Sequence, residues 1–307
     1  MEVFSTKMNL TLIQDTPQFH YWAKIEPLDS GWSLLHKFKV TDYRGDTFLV
    51  KVSDIATQDQ RRGEFNNFKR LYALGLPVSR PVAFGRCNGG RSVYMLLGWV
   101  KGYAVEDAIH NFSPRAQYQL GVNAGLLLKK IHDYSHITAT TSWESTFATN
   151  IQNITRDYFG TKVSIPKETA IFHYINQHKY LLKHRPQVIT HGDYHWGNLI
   201  ITPDATLGVI DCDTCHPGDP WVEFSSIVWA ARLSPQFARG QVDGYFNHRP
   251  SATFFKTLAL YIGVYALDHV VHSLRHGTSP DAIKANTDFM ATMFSNFTSP
   301  TPSWYTI

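Results

Sequence analysis

The sequence predicts an α+β chain in two lobes, an N-terminal antiparallel-sheet lobe followed by a mainly helical C-terminal lobe. Short β-rich segments separated by turn residues fill residues 20–100, whereas helical spacing of apolar residues dominates beyond Gly102. At 307 residues the chain can bury a large core in one bilobal domain or two smaller ones. The expected boundaries are 1–98 for the first lobe, 99–103 for the connection and 104–307 for the second.

The elements follow in order. Trp32–Val40 has strand composition, Tyr43-Arg44-Gly45-Asp46 is a hairpin turn, and Thr47–Val52 is the next strand, with Lys51 to one side. Phe65, Phe68, Leu71 and Tyr72 recur at helical spacing and predict a helix from about Gln60 to Leu74, stopped by Gly75-Leu76-Pro77. Val82–Gly85 and Ser92–Leu97 are two more strands around an Asn88-Gly89-Gly90 turn. Helices are expected at Gln117–His132 and Lys167–Leu182. Short strands are expected near Leu199–Ile201 and Leu207–Ile210, and further helices at Phe254–Leu274 and Ser279–Phe294.

Composition narrows the class. Hydrophobic residues at 43% and charged residues at 18% suit a globular fold rather than a disordered one. The formal charge of +4 comes without a run of lysines and arginines, so no nucleic-acid partner is indicated. The first residues, MEVFSTKMNLTLIQ, lack the pattern of a signal peptide, and apolar runs such as Tyr94–Val100 are too short to span a bilayer. A cytoplasmic chain with no membrane partner is the expectation, and the sequence sets no oligomeric state. Cys212-Asp213-Thr214-Cys215-His216 fits C-x-x-C-H, which can attach haem or supply zinc ligands, but with only Cys87 besides it reads better as packing or loop cysteines.

The most informative stretch is His191-Gly192-Asp193-Tyr194-His195-Trp196-Gly197-Asn198, followed by Ile210-Asp211. A hydroxyl that accepts a phosphoryl group needs a carboxylate to orient it or take its proton, and Asp193 suits that task. Asn198 and Asp211 offer oxygen donors for magnesium. Taken singly, each could be a loop-capping residue, but their joint arrangement between apolar segments is far less ordinary. His191 is expected to support the loop through hydrogen bonds, while His195 and Trp196 read as loop packing or substrate contacts.

These residues resemble the aminoglycoside phosphotransferase-like family, within the wider choline-kinase and protein-kinase-like fold. The pattern H-G-D-x-x-x-x-N is met by His191, Gly192, Asp193 and Asn198, the following I-D by Ile210-Asp211, and the G-D-P segment by Gly218-Asp219-Pro220. The resemblance implies a bilobal protein-kinase-like enzyme that uses ATP, or alternatively GTP, with Mg2+ to phosphorylate a small-molecule hydroxyl. Asp193 would be the catalytic residue and Asn198 and Asp211 the metal ligands. Lys51 would meet the nucleotide phosphates and pair with Glu64, with Arg61 or Arg62 as rival partners for that carboxylate. Asp29-Ser30-Gly31 stands where a reduced phosphate loop lies, so Ser30 and Gly31 are candidate nucleotide contacts, although a plain turn explains them nearly as well. Met95–Val100, with Leu97 and Trp99, resembles the connector that meets the adenine edge. Glu223 departs from the aspartate common at its position, and Asp213 is a further candidate metal ligand. The acceptor is open between an aminoglycoside, a sugar and an amino alcohol. The alternatives are a non-catalytic kinase-like nucleotide-binding regulator and a Cys/His metal-binding protein.

Overall fold

The computed structural model describes residues 10–28, 35–134, 140–212 and 215–306. The chain divides into two compact units, one of Met1–Gly102 with Gly208–Asp213 and the other of Tyr103–Leu207 with Thr214–Ile307.

The first unit is built on a five-stranded antiparallel sheet of order β1-β2-β3-β5-β4. Its strands are β1 (Trp22–Leu28), β2 (His36–Asp42), β3 (Thr47–Asp54), β4 (Pro81–Cys87) and β5 (Ser92–Gly98), and α1 (Gln58–Ala73) lies between β3 and β4. Alternation in β3 decides the two faces. Val50 and Val52 join Phe38, Val40, Tyr94 and Leu96 in a core closed by Trp22 and Ile13, and Lys51 takes the opposite face. That face meets α1, which buries Phe68 and Leu71 along one stripe and brings Glu64 inward with them. Strand β1 has no clear sequence signature: in WAKIEPL only Trp22 is buried, Pro27 interrupts the run, and the strand lies at the sheet edge, where proline is tolerated. The chain later returns to this unit. Val209 makes a parallel bridge to Val78 and donates its N–H to the Pro77 carbonyl at 2.8 Å, which carries Asp211 in with it.

The second unit opens with β6 (Tyr103–Ala104) and α2 (Val105–Ala108), followed by α3 (Pro114–Asp133), α4 (Trp143–Gly160) and α5 (Glu168–His178). Short strands β7 (Val188–Ile189), β8 (Leu199–Ile201), β9 (Leu207–Val209) and β10 (Pro217–Gly218) punctuate the middle, and β9 crosses the division between the units. Helices α6 (Ile227–Leu233), α7 (Pro235–Phe246), α8 (Ala252–Arg275) and α9 (Pro280–Met293) complete the chain. Ser113, Ser142, Ser234, Ser251 and Ser279 each accept a backbone N–H to start α3, α4, α7, α8 and α9. Proline fills the first helical position after three of them, where its missing N–H is harmless.

Helix α8 is the core helix here, packed by α4, α5 and α9. Among the described residues it is the one helix long and apolar enough to cross a membrane, but its most apolar 18-residue stretch is 78% buried within the protein. Helices α3 and α7 approach until backbones touch. A Cβ on Gly121 would sit 2.1 Å from the Phe237 carbonyl oxygen, and one on Gly244 would sit 2.1 Å from that of Val122. Gly121 meets Phe237 and Gln241 while Gly125 meets Gln241 and Tyr245, so the two helices run parallel.

Candidate active site

In the first unit, Lys51 on β3 is 3% exposed and ion-paired with two carboxylates. Its Nζ donates to Glu64 Oε1 at 3.3 Å and to Asp211 Oδ1 at 2.6 Å. The second oxygen of Glu64 takes Arg61 Nη1 at 2.9 Å, so Arg61 shares that carboxylate with Lys51 instead of displacing it. Lys37 Nζ stands 3.5 Å from Asp211 Oδ2. Two carboxylates therefore meet three cations. Taking these charges out of water is offset only because each is paired. Asp211 adopts φ +63, a left-handed conformation that aspartate tolerates better than most residues, directly after the strand that docks on Pro77 and Val78.

In the second unit the loop from His191 to Asn198 is fixed by its own backbone and by three neighbouring helical segments. Gly192, at φ +83, donates its N–H to Glu223 Oε1 at 2.8 Å. Asp193 N–H donates to His191 Nδ1 at 3.3 Å, and Asn198 Nδ2 donates to the Asp193 carbonyl and to its Oδ2, at 2.9 and 3.0 Å. His195 Nδ1 accepts from Gly197 N–H at 3.0 Å, and its Nε2 stands 3.5 Å from Asp193 Oδ2. Tyr194 OH donates to the Ala124 carbonyl of α3 at 2.7 Å, Trp196 packs on Phe237 of α7, and Ser226 Oγ donates to the Tyr194 carbonyl. Gly197 leaves no room for a side chain: a Cβ would stand 2.6 Å from Glu106 Oε1 and 2.7 Å from His195 Cε1.

Electrostatics separate the two carboxylates of this loop. Burial pushes the Asp193 carboxyl upward, but the hydrogen bond and charge of His195, with His191 and Asn198, bring it below the usual carboxylate range. Asp193 is accordingly ionised. Glu223 is 5% exposed, and burial pushes its carboxyl up to about 7 even though hydrogen bonds from Gly192 N–H, the Thr190 side chain and the His191 backbone favour the charged form. Its Oε2 has no hydrogen-bond partner. His132 on α3, bonded to Tyr245 OH at 2.9 Å, is held neutral by burial, its pKa lowered to about 3.

Asp193 and Glu223 open on a cavity of about 560 Å³. Asp268 of α8 adds a third carboxylate, and Trp143, Phe147 and Tyr265 supply aromatic surface. No lysine or arginine lines it among the described residues. Burial raises the Asp268 carboxyl above its ordinary value.

The model of the phosphotransferase enzyme family matches residues 24–255. The chain belongs to this family. It is a phosphotransferase of the protein-kinase-like fold, and family membership implies ATP- and Mg2+-dependent phosphoryl transfer. Solved structures agree on the fold. A thermostable mutant of aminoglycoside phosphotransferase APH(4)-Ia in its apo form superposes with TM-score 0.66 at 14% identity, over 90% of this chain and 95% of that one. The aminoglycoside phosphotransferase from Alicyclobacillus acidocaldarius gives 0.61 at 12%, over 89% and 88%. The amicoumacin kinase hAmiN gives 0.59 at 15%, over 92% and 91%. No curated protein sequence matches significantly.

The two expected metal ligands, one in each unit, each carry an oxygen of the kind a hard cation takes. Both hydrogen bonds of Asn198 use its amide nitrogen, leaving the carbonyl oxygen as a donor to a metal, and Asp211 is a partly exposed carboxylate. Leu97 is buried on β5, paired with Leu49 and Pro81, and Trp99 donates its N–H to the Thr47 carbonyl at 3.0 Å. Ser30, Gly31 and Asp213 lie outside the described residues. Cys212 is buried, and among the described residues no group of three His, Cys, Asp or Glu side chains could hold a metal.

The Gly218-Asp219-Pro220 motif has a local role that the sequence did not reveal. Asp219 takes Arg185 through both oxygens at 2.6 and 2.7 Å and accepts Tyr261 OH at 2.5 Å; Tyr261 in turn accepts Trp143 Nε1 at 2.7 Å. A buried aspartate thus braces one aromatic wall of the cavity. Trp143 and Asp268 were missed because each looks like ordinary helix composition until α4 and α8 are packed together.

Proposed function

We propose that this phosphotransferase moves the terminal phosphoryl group of ATP, with GTP as the alternative donor, to a hydroxyl of a small molecule that also carries a cationic amine. Amino alcohols and amino sugars, aminoglycosides among them, have that chemistry. The observation that carries the reading is the cavity beside Asp193: the ionised Asp193 with the acidic side chains of Glu223 and Asp268, the aromatic side chains of Trp143, Phe147, Tyr194 and Tyr265, and no lining lysine or arginine among the described residues. An ammonium group gains from both carboxylate charge and aromatic quadrupoles. Burial disfavours the ionised form of Asp268, His272 and Arg275 offset this in part, and an ammonium in the cavity would add to that offset.

The roles follow from the local geometry. Asp193, ionised and half-exposed, orients the acceptor hydroxyl and takes its proton. Lys51, held by Glu64, offers its ammonium to the donor phosphates. Magnesium, with Asn198 and Asp211 as its protein ligands, would neutralise charge on the phosphate oxygens during transfer. Ser30, Gly31, Leu97 and Trp99 remain the proposed nucleotide contacts. Direct transfer needs no phospho-enzyme.

The test is a panel of paired acceptors, each hydroxyl compound supplied with and without its amine, incubated with ATP or GTP and magnesium and read by mass spectrometry. Amine-bearing members should be phosphorylated preferentially. Equal turnover of the neutral members would overturn the cationic reading while leaving phosphoryl transfer in place.

A further inference from the structure

A second cavity, of about 370 Å³, lies at the shared N-terminal end of α3 and α7 and has none of the residues that line the cavity at Asp193. Its walls are Arg115 and Tyr118 of α3, Gln236 and Arg239 of α7, and Trp304, with Pro114 and Pro235 at the two helix starts. No lining residue is acidic.

Its electrostatics follow from the glycine contacts. Because α3 and α7 run parallel with backbones touching, their dipoles point the same way and their positive ends lie side by side. Such ends are usually relieved by an acidic residue in the first turn, and neither helix has one. Their caps are the neutral hydroxyls of Ser113 and Ser234, which satisfy Ala116 and Phe237 and leave the N–H groups of Arg115 and Gln236 without an intrahelical acceptor. Arg115 then adds a cation in the first turn of α3, where the dipole disfavours one. It makes no hydrogen bond or ion pair among the described residues. Arg239 is 3.7 Å from Asp243, a carboxylate that already accepts Tyr118 OH and Tyr305 OH.

Trp304 supplies an independent sign. It is 3% exposed, lines this cavity, and its indole N–H has no hydrogen-bond partner. A buried donor left unmade is unfavourable and marks a place where an acceptor belongs.

We propose that this cavity is an oxyanion site that takes a phosphate group, recognised by the Arg115 guanidinium, the two helix N-termini and the Trp304 indole N–H. Free phosphate and the phosphate of an organic monoester share this chemistry.

The test uses the full chain labelled with 5-fluorotryptophan, with the Trp304 resonance assigned through Trp304→Phe. Inorganic phosphate should shift that resonance saturably, and Arg115→Ala should weaken the response about tenfold or more, the effect of losing one charge-assisted contact. Lys51→Ala should leave it unchanged, separating this site from phosphate bound elsewhere. A parallel titration with glycerol phosphate tells the sources apart: tighter binding assigns the site to an organic monoester, and equal or weaker binding to free phosphate. A Trp304 resonance that does not move, or that moves equally in Arg115→Ala, would overturn the proposal.

Discussion

Lys51 is 3% exposed and closed in by two carboxylates, whereas the Asp193 side chain is 52% exposed and held by an amide and an imidazole. The first arrangement suits a group that must keep one position against a highly charged ligand. The second suits a group that must meet a changing acceptor and exchange a proton with it. Rigidity in one unit therefore comes from buried ion pairs, and in the other from hydrogen bonds within a loop braced by α3, α7 and Glu223.

The contrast can be broken at its open end first. Asp193→Asn should lower turnover by about 10²–10⁴-fold, the usual range for removing a general base. Nucleotide affinity and folding stability should change little, because the side chain is half-exposed. Steady-state kinetics with nucleotide titration checks both. The closed end should respond the other way. Glu64→Ala would leave Lys51 and Arg61 facing each other without their shared carboxylate, and breaking a buried pair of this kind costs about 3–5 kcal/mol. Urea unfolding measures it, and a loss below about 1 kcal/mol would remove the distinction between the two regions.

Glu223 sharpens the comparison as a buried acid of the second unit held by hydrogen bonds rather than by an ion pair. Its pKa rises from 4.5 to about 7 on folding. Below the unfolded value both states hold the proton. Between 4.5 and about 7 the unfolded chain ionises while the folded one does not, so stability falls as pH rises, by about 3 kcal/mol in all, and then levels. His132, lowered from 6.5 to about 3, acts in the opposite sense over part of that range, so the informative quantity is wild type minus Glu223→Gln. That difference should slope through the window; a flat difference would show that Glu223 ionises normally. The smallest expected effect is Gly244→Ala, which would force α7 away from the Val122 carbonyl at a cost of about 1–3 kcal/mol, read as a lowered urea midpoint.

What could be read from the sequence divides along the same line. The strand carrying Lys51, the helix carrying Glu64 and the loop from His191 to Asn198 are patterns contained in a few consecutive residues, so period and motif reach them. The Lys51–Asp211 pair joins residues 160 positions apart and has no local signature. Helices α4 and α7 escaped because Ser, Thr and Asn in the first and Gly in the second break the apolar stripe, although Ser142 and Ser234-Pro235 were usable start signals, and α6 has only seven residues to show a period. The glycines of α3 and α7 read as weak helix until the facing backbone is known, when each becomes the residue that lets the helices touch. The acidic, aromatic cavity was hidden for the same reason: Trp143, Asp193 and Asp268 are distant in sequence.

The most direct test compares kcat/KM for an amine-bearing acceptor and its neutral analogue in wild type and in Asp268→Asn. Wild type should prefer the amine, and Asp268→Asn should lose most of that preference through KM, with kcat on the neutral analogue unchanged. An equal preference in both proteins would contradict the assignment of this cavity to a cationic acceptor.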